Sequence, residues 1–173
     1  ANQIWVGLQD LYYRTELKNT TETTIDLDDF FRIYFRAKFA KGADEYKAFE
    51  SDYHYEIYRR PELRAHFGEF KDHLVIFNRI KNEVQYFSKL YQELRTDYSD
   101  KRPQLFYNKL LEQNQQYLLI MSAVQLDDPE REEKIKIISA KFDQFHVILR
   151  VLGAYESNSF QRLVYILNES LRN

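Results

Sequence analysis

Four histidines, three paired-carboxylate sites and two basic groups are the residues in this chain whose types and spacing could do chemistry. His66 and His73 lie seven apart, two helical turns, so on one helix they share a face and could join Glu69 or Asp72 around a metal ion. Helical zinc sites place their ligands three or four apart, however, so histidines satisfied by neighbours or water are the stronger reading, for these two as for His54 and His146. The carboxylate pairs are Asp28-Asp29, Asp127-Asp128 and Glu132-Glu133. Adjacent residues on a helix diverge by about 100°, so none of these pairs aims two carboxylates at one substrate, and capping of a helix N-terminus explains them better. Arg32 and Arg36 are four apart and share a face, with Lys38 and Lys41 beyond them. Arg59, Arg60 and Arg64 cluster around Pro61. Either group is a candidate for contact with nucleic-acid phosphates. Asp28, Asp29 and Glu56 stand close enough in sequence to neutralise them, and ordinary solvated faces are the preferred reading.

Arg60 and His66 also form an Arg-x5-His arrangement that resembles the catalytic spacing of HEPN-type ribonucleases, which are small helical bundles. The resemblance implies metal-free RNA cleavage, with His66 as acid and base and Arg60 stabilising the phosphate transition state. Pro61 departs from the pattern, because the family has a polar residue there inside a continuous helix. Phosphate-binding glycine loops, serine elbows and zinc-ligand clusters of the usual spacing are missing from the sequence. No cofactor is expected.

Composition limits what can position these residues. With 173 residues the chain has the size of one domain. Its 14 Tyr and 13 Phe against 4 Gly and 3 Pro supply large buried area and few turns, which favours long helices. There is no Cys, which removes disulfides, thiol catalysis and thiolate metal sites and is compatible with a cytoplasmic location. The richest apolar run, Tyr117 to Val124, falls far short of the roughly 20 residues of a spanning helix, so no membrane is expected. A net charge of −2 gives no global attraction to nucleic acid. The start at Ala1-Asn2-Gln3 without Met suggests a piece of a larger multidomain protein.

Periodicity then predicts an all-α bundle of about seven helices. Ile4, Trp5, Leu8, Leu11 and Tyr12 repeat at helical spacing before the polar 18–24 loop. Asp26 is a cap for an aromatic helix that Gly42 would stop, and a third helix runs from about Asp44 to Tyr58. Phe30, Phe31, Tyr34, Phe35 and Phe39 cannot all face one way; core is their expected role, with some sealing a contact between helices or domains. Phe70, Phe77, Val84, Tyr91 and Tyr98, with His73, Ile80, Phe87 and Leu94 between them, give more than four heptads. That pattern predicts one long central helix from His66 to Tyr98, continuous over 70–94, with Phe77 in the core. Further helices are expected from Pro103 to about Val124, from the Asp127-Asp128-Pro129 start to Gly153, and from a Ser157 or Ser159 cap to the C-terminus.

The order of these helices resembles the helical region of GmrSD-type restriction proteins, which join a ParB-like, nucleotide-using domain to an HNH-type nuclease. The matching residues are Asp29-Phe30-Phe31-Arg32-Ile33-Tyr34-Phe35, Tyr46-Lys47-Ala48-Phe49, the helix reaching Tyr91, and the pair of helices between Leu149 and Leu167. Coverage runs from about Asp26 to the C-terminus, and the matches are packing positions. Neither the Gln-Arg motif of the ParB-like domain nor the His-centred nuclease motif is present, so no catalytic residue carries over. The resemblance implies a non-catalytic, DNA-restriction and phage-defence scaffold that couples flanking domains and meets DNA only through the parent protein. A free-standing helical adaptor that binds protein through its aromatic surface is the remaining alternative, and self-association is left open.

Overall fold

The computed structural model describes residues 26–96 and 102–172, with Gln3, Val6, Gly7 and Gln9 of the N-terminal segment. The residues on which the first helix was expected, Ile4, Trp5, Leu8, Leu11 and Tyr12, and the loop at 18–24 lie outside the described residues. All regular structure among the described residues is helical, and the architecture is a multi-helix bundle.

Helix α1, Leu27–Phe39, starts where the sequence places it: Asp26 is extended and its side chain accepts from the Asp28 amide, with Asp28 and Asp29 beside the positive end of the helix dipole. Gly42 does not stop this helix. It opens α2, Gly42–Arg59, at φ +68°, and its amide donates to Glu169 Oε1 at 2.7 Å. Asp52 breaks the helical path of α2 at φ −152°, ψ 79°, and re-caps the second half by accepting from the Tyr55 amide at 3.0 Å. Pro61 then takes the first turn of the short α3, Pro61–His66, where a missing N–H costs nothing.

The long helix begins later than the heptads predict. Gly68, Glu69 and Phe70 all have positive φ, and a single 3₁₀ turn, Gly68–Phe70, separates α3 from α4, His73–Asn78. Asp72 fixes that start, since its Oδ1 accepts from the amides of Leu74 and Val75. The path then continues without a break through a π-helical turn, Arg79–Val84, into α5, Gln85–Thr96. Tyr98 lies outside the described residues. Val84, Phe87, Tyr91 and Leu94 are buried, whereas His73 is exposed and Phe70, Phe77 and Ile80 are half-buried. Phe77 is therefore not a core residue.

The segment expected as one helix from Pro103 to Val124 is two, α6, Pro103–Leu110, and α7, Gln115–Ala123, parted at Glu112, which has φ +57°. Every residue from Gln116 to Val124 is buried, and α7 packs against α1, α5, α8 and α9. This nine-residue apolar helix takes the central place assigned to the long one. Helix α8, Arg131–Val151, ends at Gly153 with φ +65°, as expected. Helix α9, Ser157–Arg172, is capped by Glu156 rather than by a serine: its carboxylate accepts from the amides of Asn158 and Ser159.

The core is built from aromatic rings, as the composition implies. Phe30, Tyr34, Phe35, Tyr46, Phe49, Phe87, Tyr91 and Tyr117 are all buried, and Tyr46 stacks on Tyr165 with centroids 4.0 Å apart and planes 2° from parallel. Among the described residues no helix is long and apolar enough to cross a membrane.

Candidate functional site

Arg60 and His66 stand at the two ends of α3, and the fold engages each with carboxylates. Arg60 is held at 2.6 Å from Glu56 Oε2 and 2.5 Å from Glu45 Oε1, and its guanidinium lies over the Phe49 ring at 5.0 Å. Burial opposes its charge, but the hydrogen bonds to Glu45 and Glu56 more than offset that, so its pKa is raised. His66 turns inward, with Nε2 3.0 Å from Glu83 Oε2 and the ring edge-on to Phe39 and Phe67.

Glu83 is the hub of this corner. The Tyr34 hydroxyl donates to its Oε1 at 2.7 Å, and Arg79 reaches its Oε2 at 3.1 Å. Burial pushes the carboxyl up, yet the hydrogen bonds from His66 and Tyr34 and the nearby charge of Arg79 pull it down to about 2. The π turn delivers Glu83 to this place, and such turns are common where a helix must re-aim a side chain. Nothing in the sequence links Glu83 to Tyr34 and His66, because the partners come from other helices. The arrangement can hold a fixed charge in a mostly apolar wall. It leaves the carboxylate with three internal donors rather than a substrate.

The basic residues divide by depth. Lys38 lies inside, donating to the Val124 carbonyl at 2.8 Å with its ammonium 4.1 Å from the Phe87 ring centre, and burial lowers its pKa to about 8. In that position it caps the C-terminus of α7. Arg36 pairs with Glu50 at 3.0 Å, and Arg32 pairs with Asp28 at 2.7 Å while also donating to the Glu50 carbonyl. Asp28 is held below its ordinary range chiefly by that Arg32 hydrogen bond. Arg59 is exposed, 3.8 Å from Glu56, and Arg64 is 3.9 Å from Glu69. The exposed cations therefore do not form one stripe with Lys38 and Arg60, which are half-buried and engaged by the fold.

For the metal reading, the fold sends the four residues to separate tasks: His66 to Glu83, Asp72 to its cap, Glu69 to Arg64, His73 to the surface. Among the described residues no three His, Asp or Glu side chains converge as a ligand set. His146 is buried beside Tyr155 and Phe160, with Arg150 Nε 3.4 Å from its Nε2. Burial lowers its pKa.

A second polar cluster ties α9 into the core. Asn168 Nδ2 donates to Tyr46 Oη and lies 3.4 Å from the Ala37 carbonyl, while Ser122 Oγ sits 2.8 Å from that carbonyl and against Asn168 Oδ1. All three side chains are fully buried. The signal for this cluster was present: Ser122 interrupts an apolar run, and Asn168 falls on the Phe160, Val164 face of its helix.

Two apolar hollows open at the surface. One, about 350 Å³, lies between α1, α2 and the π turn, with Phe31, Ile57, Phe70, Ile76 and Ile80 among its walls. The other, about 430 Å³, lies between α8 and α9. A comparison with protein-family models, with curated proteins and with solved structures finds no match to this chain.

Proposed function

We propose that this chain is a non-catalytic helical scaffold that couples flanking domains of a GmrSD-type, nucleotide-dependent DNA restriction protein. The observation that carries the reading is the fate of the polar groups: Arg60, His66, Lys38 and Glu83 are each answered by partners inside the fold, while the surface offers apolar hollows suited to a protein neighbour. Among the residues behind the family resemblance, Phe30, Ile33, Tyr34, Phe35, Tyr46 and Phe49 are buried, which is the behaviour of packing positions, while Asp29 and Lys47 are exposed. DNA contact then belongs to the flanking domains.

The test is made on the parent protein and on the purified chain together. Replacing the chain by a flexible linker of equal reach should abolish nucleotide-dependent DNA cleavage while each flanking domain still binds its own ligand. The purified chain should cleave neither RNA nor DNA. RNA cleavage that disappears in both Arg60→Ala and His66→Ala would instead establish the HEPN-like ribonuclease. A parent gene without flanking domains would leave the protein-binding adaptor.

A further inference from the structure

Helix α8 is apolar on both sides. Ile135, Phe142 and His146 face the core, while Ile137, Ile148, Val151 and Leu152 are 50%, 54%, 80% and 71% exposed. The outward set is not scattered: positions 137, 141, 144, 148 and 152 advance by three or four residues and so share one face, about 22 Å long. Its one charged side chain is Lys141, whose ammonium is hydrogen-bonded to Gln144 at 3.2 Å. A contiguous apolar stripe left on the outside of a helix marks a surface suited to a protein neighbour.

We infer that this face pairs two copies of the chain through an antiparallel α8–α8 contact. Three observations select a second copy as the occupant. At its Ile137 and Lys141 end the stripe is a ridge between two hollows, the apolar 430 Å³ groove against α9 and one of about 820 Å³ that runs from Arg102 to Gln144 past Glu132, Glu133 and Lys136. A ridge beside a groove on the same surface is what a two-fold, self-complementary interface requires. The stripe is also balanced about its centre, since Ile137 and Leu152 lie seven and eight residues from Gln144. An antiparallel pairing sets Ile137 against the partner's Leu152 and keeps the two Lys141 charges apart. Finally, the exposed parts of the apolar side chains on α8 and on the Leu167, Leu171 edge of α9 leave on the order of 700 Å², close to the ~800 Å² each partner buries in a standard interface. The inference does not depend on the coupling role proposed above.

The chain has no Cys, which makes the test direct. Sedimentation equilibrium of the 173-residue chain should give twice the chain mass at micromolar concentration, and Ile148→Glu should weaken association by more than about tenfold without changing the helical circular dichroism. Ile166→Glu, at an exposed apolar position on α9 outside the groove, should leave the dimer intact. Gln144→Cys, near the two-fold axis, should cross-link under mild oxidation far faster than Lys47→Cys on α2. A single-chain mass at every concentration would overturn the pairing and assign the face to a different molecule. An undiminished dimer in Ile148→Glu, or equal cross-linking of the two cysteine variants, would equally overturn it.

Discussion

The Tyr34 hydroxyl donates to Oε1 of Glu83 at 2.7 Å across 49 positions of sequence, and His66 meets the other oxygen of the same carboxylate at 3.0 Å. Three segments, α1, α3 and the π turn, are thereby fixed to one ionised group. Glu83 titrates near 2 in the folded chain against an ordinary 4.5, so the folded state binds fewer protons than the unfolded one between those values. Its contribution is fully present above about pH 4.5 and is lost as pH falls towards 2. Glu83→Gln should cost up to about 3 kcal/mol at pH 7, with the gap from the native chain closing in acid. Urea unfolding of both chains at pH 7 and pH 3 measures it, and a gap independent of pH would place the effect in packing rather than charge.

Lys38 should give a slope of the same sign at the alkaline end. Burial holds its folded pKa near 8, below the ordinary 10.5, so the unfolded chain carries the extra proton between these values. Stability should rise as pH increases from 8 to 10.5. Lys38→Met should remove that rise while the other titrations stay in place. Parallel unfolding curves for the two chains across this interval would show that the ammonium is solvated.

Phe87 and Phe77 share a helical path and differ in depth. Phe87 is 2% exposed beneath Lys38 and beside Tyr34, whereas Phe77 is half-buried with Lys81 5.9 Å from its ring centre. Phe87→Ala should cost about 3 to 5 kcal/mol through lost transfer energy and a cavity, and Phe77→Ala less than about 1 kcal/mol. Equal costs in denaturant unfolding would mean that the path from His73 to Thr96 is buried along its whole length.

That contrast shows what the sequence carried and what it hid. The helix starts at Asp26 and Pro103 were legible because a carboxylate cap or a proline acts locally, whereas the short helix that Pro61 opens was not expected. The heptads misplaced the long helix because residues 66–73 keep the spacing while Gly68, Glu69 and Phe70 adopt positive φ and Asp72 starts the chain afresh. Gly68 followed four residues later by Asp72 was the available sign. Past that point the π turn widens the repeat, so that Ile76, Ile80 and Val84, four apart, line one hollow. The Glu83 hub was not legible, since its partners meet only after three segments pack. The basic residues were legible as charges but not as depths: Arg60 and Lys38 read as surface and are half-buried.

Asn168 should be the most sensitive polar position. It is fully buried, and its amide serves Tyr46, Ala37 and Ser122 at once. Asn168→Leu keeps the volume but takes the buried donor from the Tyr46 hydroxyl and leaves the Ala37 carbonyl with Ser122 alone, for about 2 to 4 kcal/mol. Tyr46→Phe in the same background should restore part of the loss, which a double-mutant cycle in urea reads directly.

The same helix has a consequence for the order of events in synthesis. Glu169 closes on the Gly42 amide and Arg172 on the Ala40 carbonyl, so the turn between α1 and α2 is finished by residues made about 130 positions later. While the ribosome is still translating, Tyr46 has no Tyr165 to stack on and the α1–α2–α7 seam stands open. Only when Ser157–Arg172 has cleared the exit tunnel can that seam shut, so nascent chains stalled before α9 should be substrates for chaperones, and the last 16-residue helix acts as the timer for the whole core.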